Sequence, residues 1–222
     1  DRVTWGSCMV ACGDADGMVA GNTRHYGATV DKLMQSIGSR DDEIVFGLCV
    51  FVNRGRTIII ADTNVIEYPT SEELALIAKS SARVAKLFGL DPKIAFLSHS
   101  TFGQPETDRT KRISKAVEML KSEEVDFLFD GEMQPDVALN NKYKGTYSFS
   151  EIVGNANVLV MPSIHAAAIS IKMLKELSRG KVFGPLLIGL AQPIEVAPLR
   201  SSSSEILNLA SIAAYSSEII KY

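Results

Sequence analysis

Two kinds of segment alternate along the chain. Short runs of apolar, often β-branched residues give way to longer segments in which apolar residues recur every three or four positions. The first pattern is typical of buried strands and the second of amphipathic helices, so the alternation predicts an α/β protein. Strands are predicted over residues 7–11, 43–52, 57–61, 93–98, 126–130, 158–161 and 186–190, and helices over residues 29–37, 71–88, from 108, 164–174 and 205–216.

Local signals mark the ends of some of these elements. Thr70 and Glu73 have the spacing of a capping box at the start of the helix over residues 71–88, and Gly89 follows its last turn. The glycine-containing connection over residues 53–56 predicts a hairpin between the two strands that flank it.

Three hydroxyl groups follow the strand over residues 93–98. Ser98, Ser100 and Thr101 lie just before the helix that starts near residue 108. Ligands of open α/β sheets bind at this end of a strand, and the start of a helix favours a phosphate or carboxylate. His99 lies beside these residues, but neighbours in a loop seldom point at each other and the chain has no G-x-S-x-G elbow, so a Ser–His nucleophile pair is disfavoured.

Acidic residues crowd the end of the strand over residues 126–130. Asp130, Glu132 and Asp136 are compatible with acid–base chemistry, with a magnesium site, or with capping of the next segment, and capping is favoured. His25 and His165 are isolated histidines. Without a cluster of His, Cys and Asp, no transition-metal site is predicted.

Two further segments are candidate anion receptors. Residues 13–21 hold three glycines and two aspartates, so their N–H groups could face an anion, or the segment could simply be a tight turn that its aspartates cap. The spacing fits neither a P-loop nor G-x-G-x-x-G. Arg200 precedes four serines and a helix; it is either part of a phosphate receptor or an exposed arginine beside a polar loop.

The composition narrows the choice of partners and of compartment. The net charge of −3 leaves no broad basic face for nucleic acid, and the longest apolar runs, such as residues 44–52, are about half the ~20 residues of a membrane-spanning helix. No leader opens the chain, so we predict a cytoplasmic protein without nucleic-acid or membrane partners. Cys8, Cys12 and Cys49 are odd in number and are predicted to be reduced core residues.

Six ordered blocks resemble the phosphate acetyl/butyryltransferase family, and most closely the C-terminal phosphotransacetylase-like domain of large bacterial NADP-dependent malic enzymes. Together the blocks span nearly the whole chain, and their order is more specific than any one of them. They read GDADGMVAGNTRHY (residues 13–26), ADTNVIEYPTSEELALIAKSSARVAKLFG (61–89), FLSHSTFGQPE (96–106), DGEMQPDVALN (130–140), GNANVLVMPSIHAA (154–167) and GPLLIGLAQPIEV (184–196).

The resemblance implies a fold and a longer parent protein. The implied fold is a three-layer open α/β sheet of the phosphotransacetylase, isocitrate/isopropylmalate dehydrogenase-like type, with two lobes and a cleft between them. Residues 1–36 with 188–222 would form part of the first lobe and residues 37–187 the second. An N-terminal part would precede this chain and, in the malic-enzyme branch, would hold the NADP and divalent metal; no cofactor is expected on this chain.

The resemblance also implies which positions matter for chemistry. Active members transfer acetyl between phosphate and coenzyme A and have a serine before the arginine that matches Arg200, where this chain has Leu199. They have a substrate-binding arginine where this chain has Asp31, so transferase activity is expected to be lost while ligand binding is kept. No catalytic or metal-binding residue is therefore predicted, and the predicted ligand-binding residues are Asp14, Asp16, Gly17, Arg24, Ser98, Ser100, Thr101, Asp130, Asn140, Arg200 and Ser201.

The function that the resemblance implies is regulatory. The domain would bind acetyl-CoA or a related acyl-CoA as an effector, act on its own malic-enzyme domain and support a homo-oligomer, a dimer or higher. The alternative is an active phosphate acetyltransferase with a reorganised site. A purely structural assembly module with a vestigial cleft is a third hypothesis.

Overall fold

The computed structural model describes residues 1–62, 64–143, 145–152 and 154–220, with side chains up to residue 217. Helices and strands alternate along this part of the chain, as the sequence predicts. The helices are α1 (Arg2–Ala11), α2 (Tyr26–Ser36), α3 (Ser71–Leu87), α4 (Asp108–Lys121), α5 (Pro135–Leu139), α6 (Ile164–Leu177) and α7 (Ser203–Ile220), with a 3-10 turn at Asn141–Tyr143. The strands are β1 (Met18–Gly21), β2 (Phe46–Asn53), β3 (Arg56–Ala61), β4 (Lys93–Leu97), β5 (Leu128–Met133), β6 (Val158–Val160), β7 (Lys181–Ile188) and β8 (Ile194–Ala197).

The chain divides into two compact units. The first unit is Asp1–Cys49 with the segment from Phe183 onward, and the second unit is Val50–Val182. Parallel strands β1 and β8 form a two-stranded sheet, and the other six strands form a sheet in the order β5-β4-β6-β3-β2-β7. In the second unit the pairs β3–β6, β4–β6 and β4–β5 are parallel, so the carboxyl ends of these strands lie along one edge.

Helix α3 forms where the sequence predicts it. The Thr70 hydroxyl accepts the N–H of Glu73, and the Glu73 carboxylate accepts the N–H of Thr70 at 2.7 Å, which completes the capping box. Gly89 adopts a φ of 71° after the last turn. The hairpin between β2 and β3 is also confirmed, since Arg54 and Gly55 both adopt positive φ, as a two-residue hairpin turn requires.

The strand predicted over residues 7–11 is wrong, because this segment lies in helix α1. Its buried residues are Val3, Ser7 and Val10, whose spacing of four and three residues follows one helical face, and the Asp1 carboxylate caps the Val3 N–H at 2.8 Å. A five-residue apolar window is too short to reveal that period. The predicted core position is correct for Cys49 but wrong for Cys8 and Cys12, which are exposed; all three are free thiols.

The end of β5 and the whole of β8 also differ from the prediction. Strand β5 continues to Met133, so the segment predicted as a loop after Asp130 is part of the sheet, and Pro135 then starts α5. Strand β8 was not predicted, because the prolines at positions 193 and 198 on either side of it are typical of loops. The proline positions mark its ends.

Gly21 at the end of β1 is expected to be intolerant of a side chain. Its φ is 100°, and a Cβ would lie 2.3 Å from the Ala197 carbonyl oxygen of the paired strand. We expect Gly21→Ala to lower the free energy of unfolding by about 2–4 kcal/mol, combining backbone strain with a steric clash. Chemical denaturation measures the loss. Gly13→Ala is the matched control, with a similar φ of 82° and no atom within 4 Å; equal losses in both variants would contradict the steric explanation.

Candidate functional site

The hydroxyl loop, residues 98–101 after β4, brings three predicted ligand residues together. Ser98, Ser100 and Thr101 are all buried, and the hydroxyl oxygens of Ser98 and Ser100 are 2.9 Å apart. Thr101 Oγ1 accepts the N–H of Gln134 at 3.2 Å. The hydroxyl groups are therefore engaged in internal hydrogen bonds that fix the loop.

Glu132 on β5 organises this loop. Its side chain is buried and accepts the Ser100 hydroxyl at 2.8 Å, the Gly103 N–H at 2.8 Å and the Ser114 hydroxyl. Burial raises the pKa of the carboxyl group, but the hydrogen bonds from Ser114, Gly103 and Ser100 outweigh burial and hold the pKa below its usual value. Glu132 is thus a buried carboxylate anion at neutral pH.

Asp130 does not cap the segment that follows its strand, which was the role favoured for the acidic residues, but accepts backbone N–H groups within β5 and from residue 151. The side chain is buried, and its two oxygens accept the N–H groups of Gly131 and Glu151, each at 2.9 Å. Asp136 is exposed at the start of α5. Among the residues described, no group of three or more His, Cys, Asp or Glu side chains could hold a metal ion.

A cavity of about 380 Å³ opens beside the hydroxyl loop, and we call it the arginine pocket. It lies where β4 and β6 end and where α4 and α6 begin. None of its described lining residues is acidic. The lining consists of Tyr68, Leu97, Ser98, His99, Arg109, Arg112, Ile113, Pro135, Met161, Pro162, Ser163, Ala166 and Ser170.

Arg112 is a fixed part of the arginine pocket. Its guanidinium lies 3.8 Å from the centre of the Tyr68 ring and donates hydrogen bonds to the carbonyl oxygens of Pro69 and Pro162, the latter at 2.8 Å. Burial lowers the pKa of Arg112, but an arginine remains protonated at neutral pH. Arg109, one turn earlier, is exposed and forms no ion pair with any described residue.

The start of α6 adds to the positive character of the pocket. Ser163 caps this helix by accepting the Ala166 N–H at 3.4 Å, and its first turn holds no acidic residue. The partial positive charge of the helix start is therefore not neutralised by the helix itself. Together with two arginines it makes the pocket suited to a phosphate or carboxylate group.

A second cavity, of about 400 Å³, has uncharged described lining residues, and we call it the neutral pocket. Helix α5 contributes to both cavities: Pro135 lines the arginine pocket, whereas Val137 and Ala138 line the neutral pocket. Asn140, a predicted ligand residue, is exposed and lines the neutral pocket with Tyr147 and several hydroxyl and amide side chains.

In the first unit, the glycine-rich segment is used for packing. A Cβ on Gly17 would lie 3.0 Å from the Pro193 carbonyl oxygen, so this glycine allows close approach of β1 to the start of β8. Asp14 is exposed, and Asp16 lines a cavity between β1 and α7. Arg24 binds the Asp1 carboxylate through Nη1, with distances of 2.8 and 3.1 Å.

Arg200 lies at a sharp turn before α7. Its φ is 64°, its N–H donates to the Asn22 carbonyl oxygen at 3.2 Å, and its exposed side chain forms no ion pair with any described residue. The Ser201 hydroxyl donates to the Pro198 carbonyl oxygen at 2.9 Å. Leu199 is 57% exposed, and Asp31 is exposed on α2. Of the two arginines of the first unit that were predicted to bind a ligand, Arg24 is paired with Asp1, and Arg200 is the one without an ion pair to a described residue.

A family model described as phosphate acetyl/butaryl transferase matches residues 1–214. The chain belongs to this family. An NADP-dependent malic enzyme of Rhizobium meliloti is 46% identical over 215 residues, which cover 97% of this chain but 28% of that enzyme. A phosphate acetyltransferase of Bacillus subtilis is 32% identical over 216 residues, covering 96% of this chain and 67% of that protein.

The structural comparison confirms the predicted fold class. A phosphotransacetylase from Streptococcus pyogenes superposes with a TM-score of 0.92 at 31% identity, covering 99% of this chain and 68% of that one. EutD phosphotransacetylase from Staphylococcus aureus gives a TM-score of 0.86 at 30% identity. The fold is thus the α/β fold of the transferase family, and the chain spans little more than a quarter of the malic enzymes that it matches.

The arginines of the pocket were missed by the sequence analysis. Arg109 and Arg112 lie three residues apart in the first turns of α4, directly after the hydroxyl loop. That spacing places them on one helical face, and it was the signal in the sequence from which they could have been predicted.

Among the described residues, every helix is too short or too polar to span a membrane.

Proposed function

We propose that this chain is a non-catalytic, ligand-binding domain of an NADP-dependent malic enzyme, and that its ligand is acetyl-CoA or a related acyl-CoA. The arginine pocket carries the proposal. It supplies two guanidinium groups, a helix start and the Ser98 hydroxyl, without a lining carboxylate, at the sheet edge where α/β proteins bind ligands. The similarity to malic enzymes over nearly the whole chain supports this choice of parent protein.

The two pockets of the second unit suit the two chemically different parts of an acyl-CoA, which are its phosphate groups and its uncharged portions. Its phosphate groups need cations and N–H donors, which Arg109, Arg112 and the start of α6 provide. Its uncharged parts need apolar contacts and a few polar groups, which the neutral pocket provides.

The loss of transferase activity is proposed from the first unit. Leu199 precedes the exposed Arg200, and a leucine cannot donate a hydrogen bond to an oxyanion. Losing one such donor typically lowers the rate about 10²–10³-fold. Asp31 would repel a phosphate where active members of the family carry an arginine.

A domain that binds a ligand without catalysing a reaction can still regulate the enzyme to which it belongs, by stabilising one conformational state of that enzyme. We infer that acyl-CoA binding lowers malic-enzyme activity when acetyl-CoA accumulates in the cytoplasm, and that the domain also supports a homo-oligomer. Such regulation requires only that the ligand binds two states with different affinities.

Removing one arginine of the pocket is expected to weaken binding. Arg109→Ala deletes a charge-assisted hydrogen bond without disturbing a packed side chain, so we expect the dissociation constant of acetyl-CoA to rise about tenfold or more. Isothermal titration calorimetry on the 222-residue chain measures it. Arg179→Ala, an exposed arginine that does not line the pocket, is the control and should bind like wild type.

Three results would count against the proposal. Absence of acetyl-CoA binding to wild type, or equal binding by wild type and Arg109→Ala, would contradict the assigned pocket. Formation of acetyl-CoA from acetyl phosphate and coenzyme A by the same preparation, lost in Arg200→Ala, would establish the transferase alternative.

A further inference from the structure

Three aromatic side chains meet beside the hydroxyl loop, and we call them the aromatic cluster. The ring centre of Phe102 lies 5.5 Å from that of Tyr147 and 4.8 Å from that of Phe149, and the last two centres are 6.2 Å apart. Aromatic rings prefer such inclined contacts to flat sandwiches. Although each ring neighbours the other two, Phe149 is 64% exposed. The cluster therefore leaves most of one aromatic surface open.

Phe102 lies at a turn position that a phenylalanine seldom occupies. Thr101 and Gln104 exchange two backbone hydrogen bonds, of 3.1 and 3.3 Å, across a turn whose two central residues have positive φ. Such a turn favours asparagine and glycine, because a bulky side chain is strained at the φ of 50° that Phe102 adopts. The Glu132 carbonyl oxygen accepts the Phe102 N–H at 2.8 Å and helps to hold the turn. Strained residues of this kind are common at ligand sites.

The aromatic cluster borders the neutral pocket. Tyr147 lines this pocket, and so do Ser148 and Ser150, which flank Phe149 in the chain. Asn140 adds an amide group to the lining. Amide and hydroxyl groups can both donate and accept hydrogen bonds. An uncharged flat ring with polar edges would therefore find an aromatic face and hydrogen-bonding partners in the same place.

We propose that the aromatic cluster stacks against a planar nitrogen heterocycle, and that this ring is the adenine of the acyl-CoA ligand. Phe149 supplies the exposed face, and Phe102 and Tyr147 pack against it and fix its orientation. The amide and hydroxyl groups of the neutral pocket bind the polar edge of the heterocycle. The assignment rests on the proposed function, because it takes an acyl-CoA as the ligand, and it adds a site for the adenosine end of that ligand.

The openness of the cluster favours the adenine over the acyl group. Stacking on an aromatic side chain needs only a flat ring, and the far side of the stacked ring can stay in water. A short aliphatic acyl group would gain more from an enclosed apolar cavity, where solvent is excluded from all sides. Because Phe149 is mostly exposed, its surroundings fit the first case.

Removal of the exposed ring tests the stacking contact. We expect Phe149→Leu to raise the dissociation constant of acetyl-CoA about tenfold, because leucine is apolar but has no aromatic face, whereas Phe149→Tyr should bind like wild type. Phe88→Leu is the matched control, at a phenylalanine that is 48% exposed and lines neither pocket of the second unit. It should leave binding unchanged. Isothermal titration calorimetry measures the constants, and far-UV circular dichroism verifies that the variants are folded.

Two fragments of acetyl-CoA identify the part that meets the cluster. Adenosine 3′,5′-bisphosphate keeps the heterocycle, and S-acetyl-4′-phosphopantetheine lacks it. Phe149→Leu should weaken the first about tenfold and leave the second unchanged. Equal binding of acetyl-CoA by wild type and Phe149→Leu, or an equal loss for both fragments, would overturn the stacking assignment. If wild type binds adenosine 3′,5′-bisphosphate through Phe149 but does not bind acetyl-CoA, the proposed ligand is wrong and the stacking site is confirmed.

Discussion

Glu132→Ala is expected to destabilise the second unit by about 3 kcal/mol and to abolish the proposed acetyl-CoA binding. The substitution removes the acceptor of three hydrogen bonds, so the Gly103 N–H loses its side-chain acceptor and the buried Ser100 hydroxyl keeps only its contact with Ser98. Each hydrogen bond lost in this way costs about 1–3 kcal/mol. The hydroxyl loop would lose its anchor, so Ser98 would no longer be held at the arginine pocket. Denaturant titration and calorimetry measure the two effects.

Glu132→Gln is the matched variant for this test. A glutamine keeps an acceptor oxygen and the side-chain shape but has no carboxylate to titrate. Because the folded-state pKa of Glu132 lies below the unfolded value, its stabilisation is present above about pH 4.5 and is lost as the pH falls through the folded-state pKa. Wild type should therefore lose more stability than Glu132→Gln on acidification, and parallel acid titrations of the two would contradict the role.

The second large effect is expected at Glu195 on β8. Its side chain is buried and accepts the Leu187 N–H at 2.9 Å, and burial raises its pKa to about 8. Between about pH 4.5 and 8 the native carboxyl stays protonated while the unfolded one ionises, so stability falls as the pH rises. Glu195→Gln keeps the acceptor for Leu187 and cannot ionise. Its advantage in free energy of unfolding over wild type should grow by about 1.4 kcal/mol per pH unit across this interval.

Urea titrations at pH 5, 6, 7 and 8 measure that advantage. Glu118→Gln, at an exposed position on α4, removes a carboxyl group outside the core and should track wild type at every pH. A constant difference between Glu195→Gln and wild type would show that burial does not control the ionisation of Glu195.

Elements with repeated local signals could be predicted from the sequence. Helix α3 has a capping box, a long apolar period and a terminal glycine, and each signal reinforces the others. Helix α1 and strand β8 were not predicted, because each is short. Helix α1 has only ten residues, and its last five, residues 7–11, resemble a strand when they are considered alone. Strand β8 has four residues between two prolines.

The hydroxyl loop of the candidate site could be predicted from the sequence, whereas the charged residues that surround it could not. The hydroxyl loop follows directly from the order strand, polar segment, helix, and the structure does bring Ser98, Ser100 and Thr101 together. The pairing of that loop with Glu132, and of Arg112 with Tyr68, depends on residues 32 and 44 positions apart in sequence. The pattern of residues within one helix or strand cannot predict such contacts, because they form only when distant segments come together in the folded sheet.

Helix α5 sets a scale for whatever occupies the second unit. Pro135 borders one pocket while Val137 and Ala138 border the other, so the distance between a charged and an uncharged environment is about one helical turn, roughly 5 Å of rise. A ligand with both characters, as proposed for an acyl-CoA, would contact both environments at once, so its two parts would bind as one linked event. Free phosphate would contact the arginine pocket alone, and we expect it to bind more weakly than the two-part ligand.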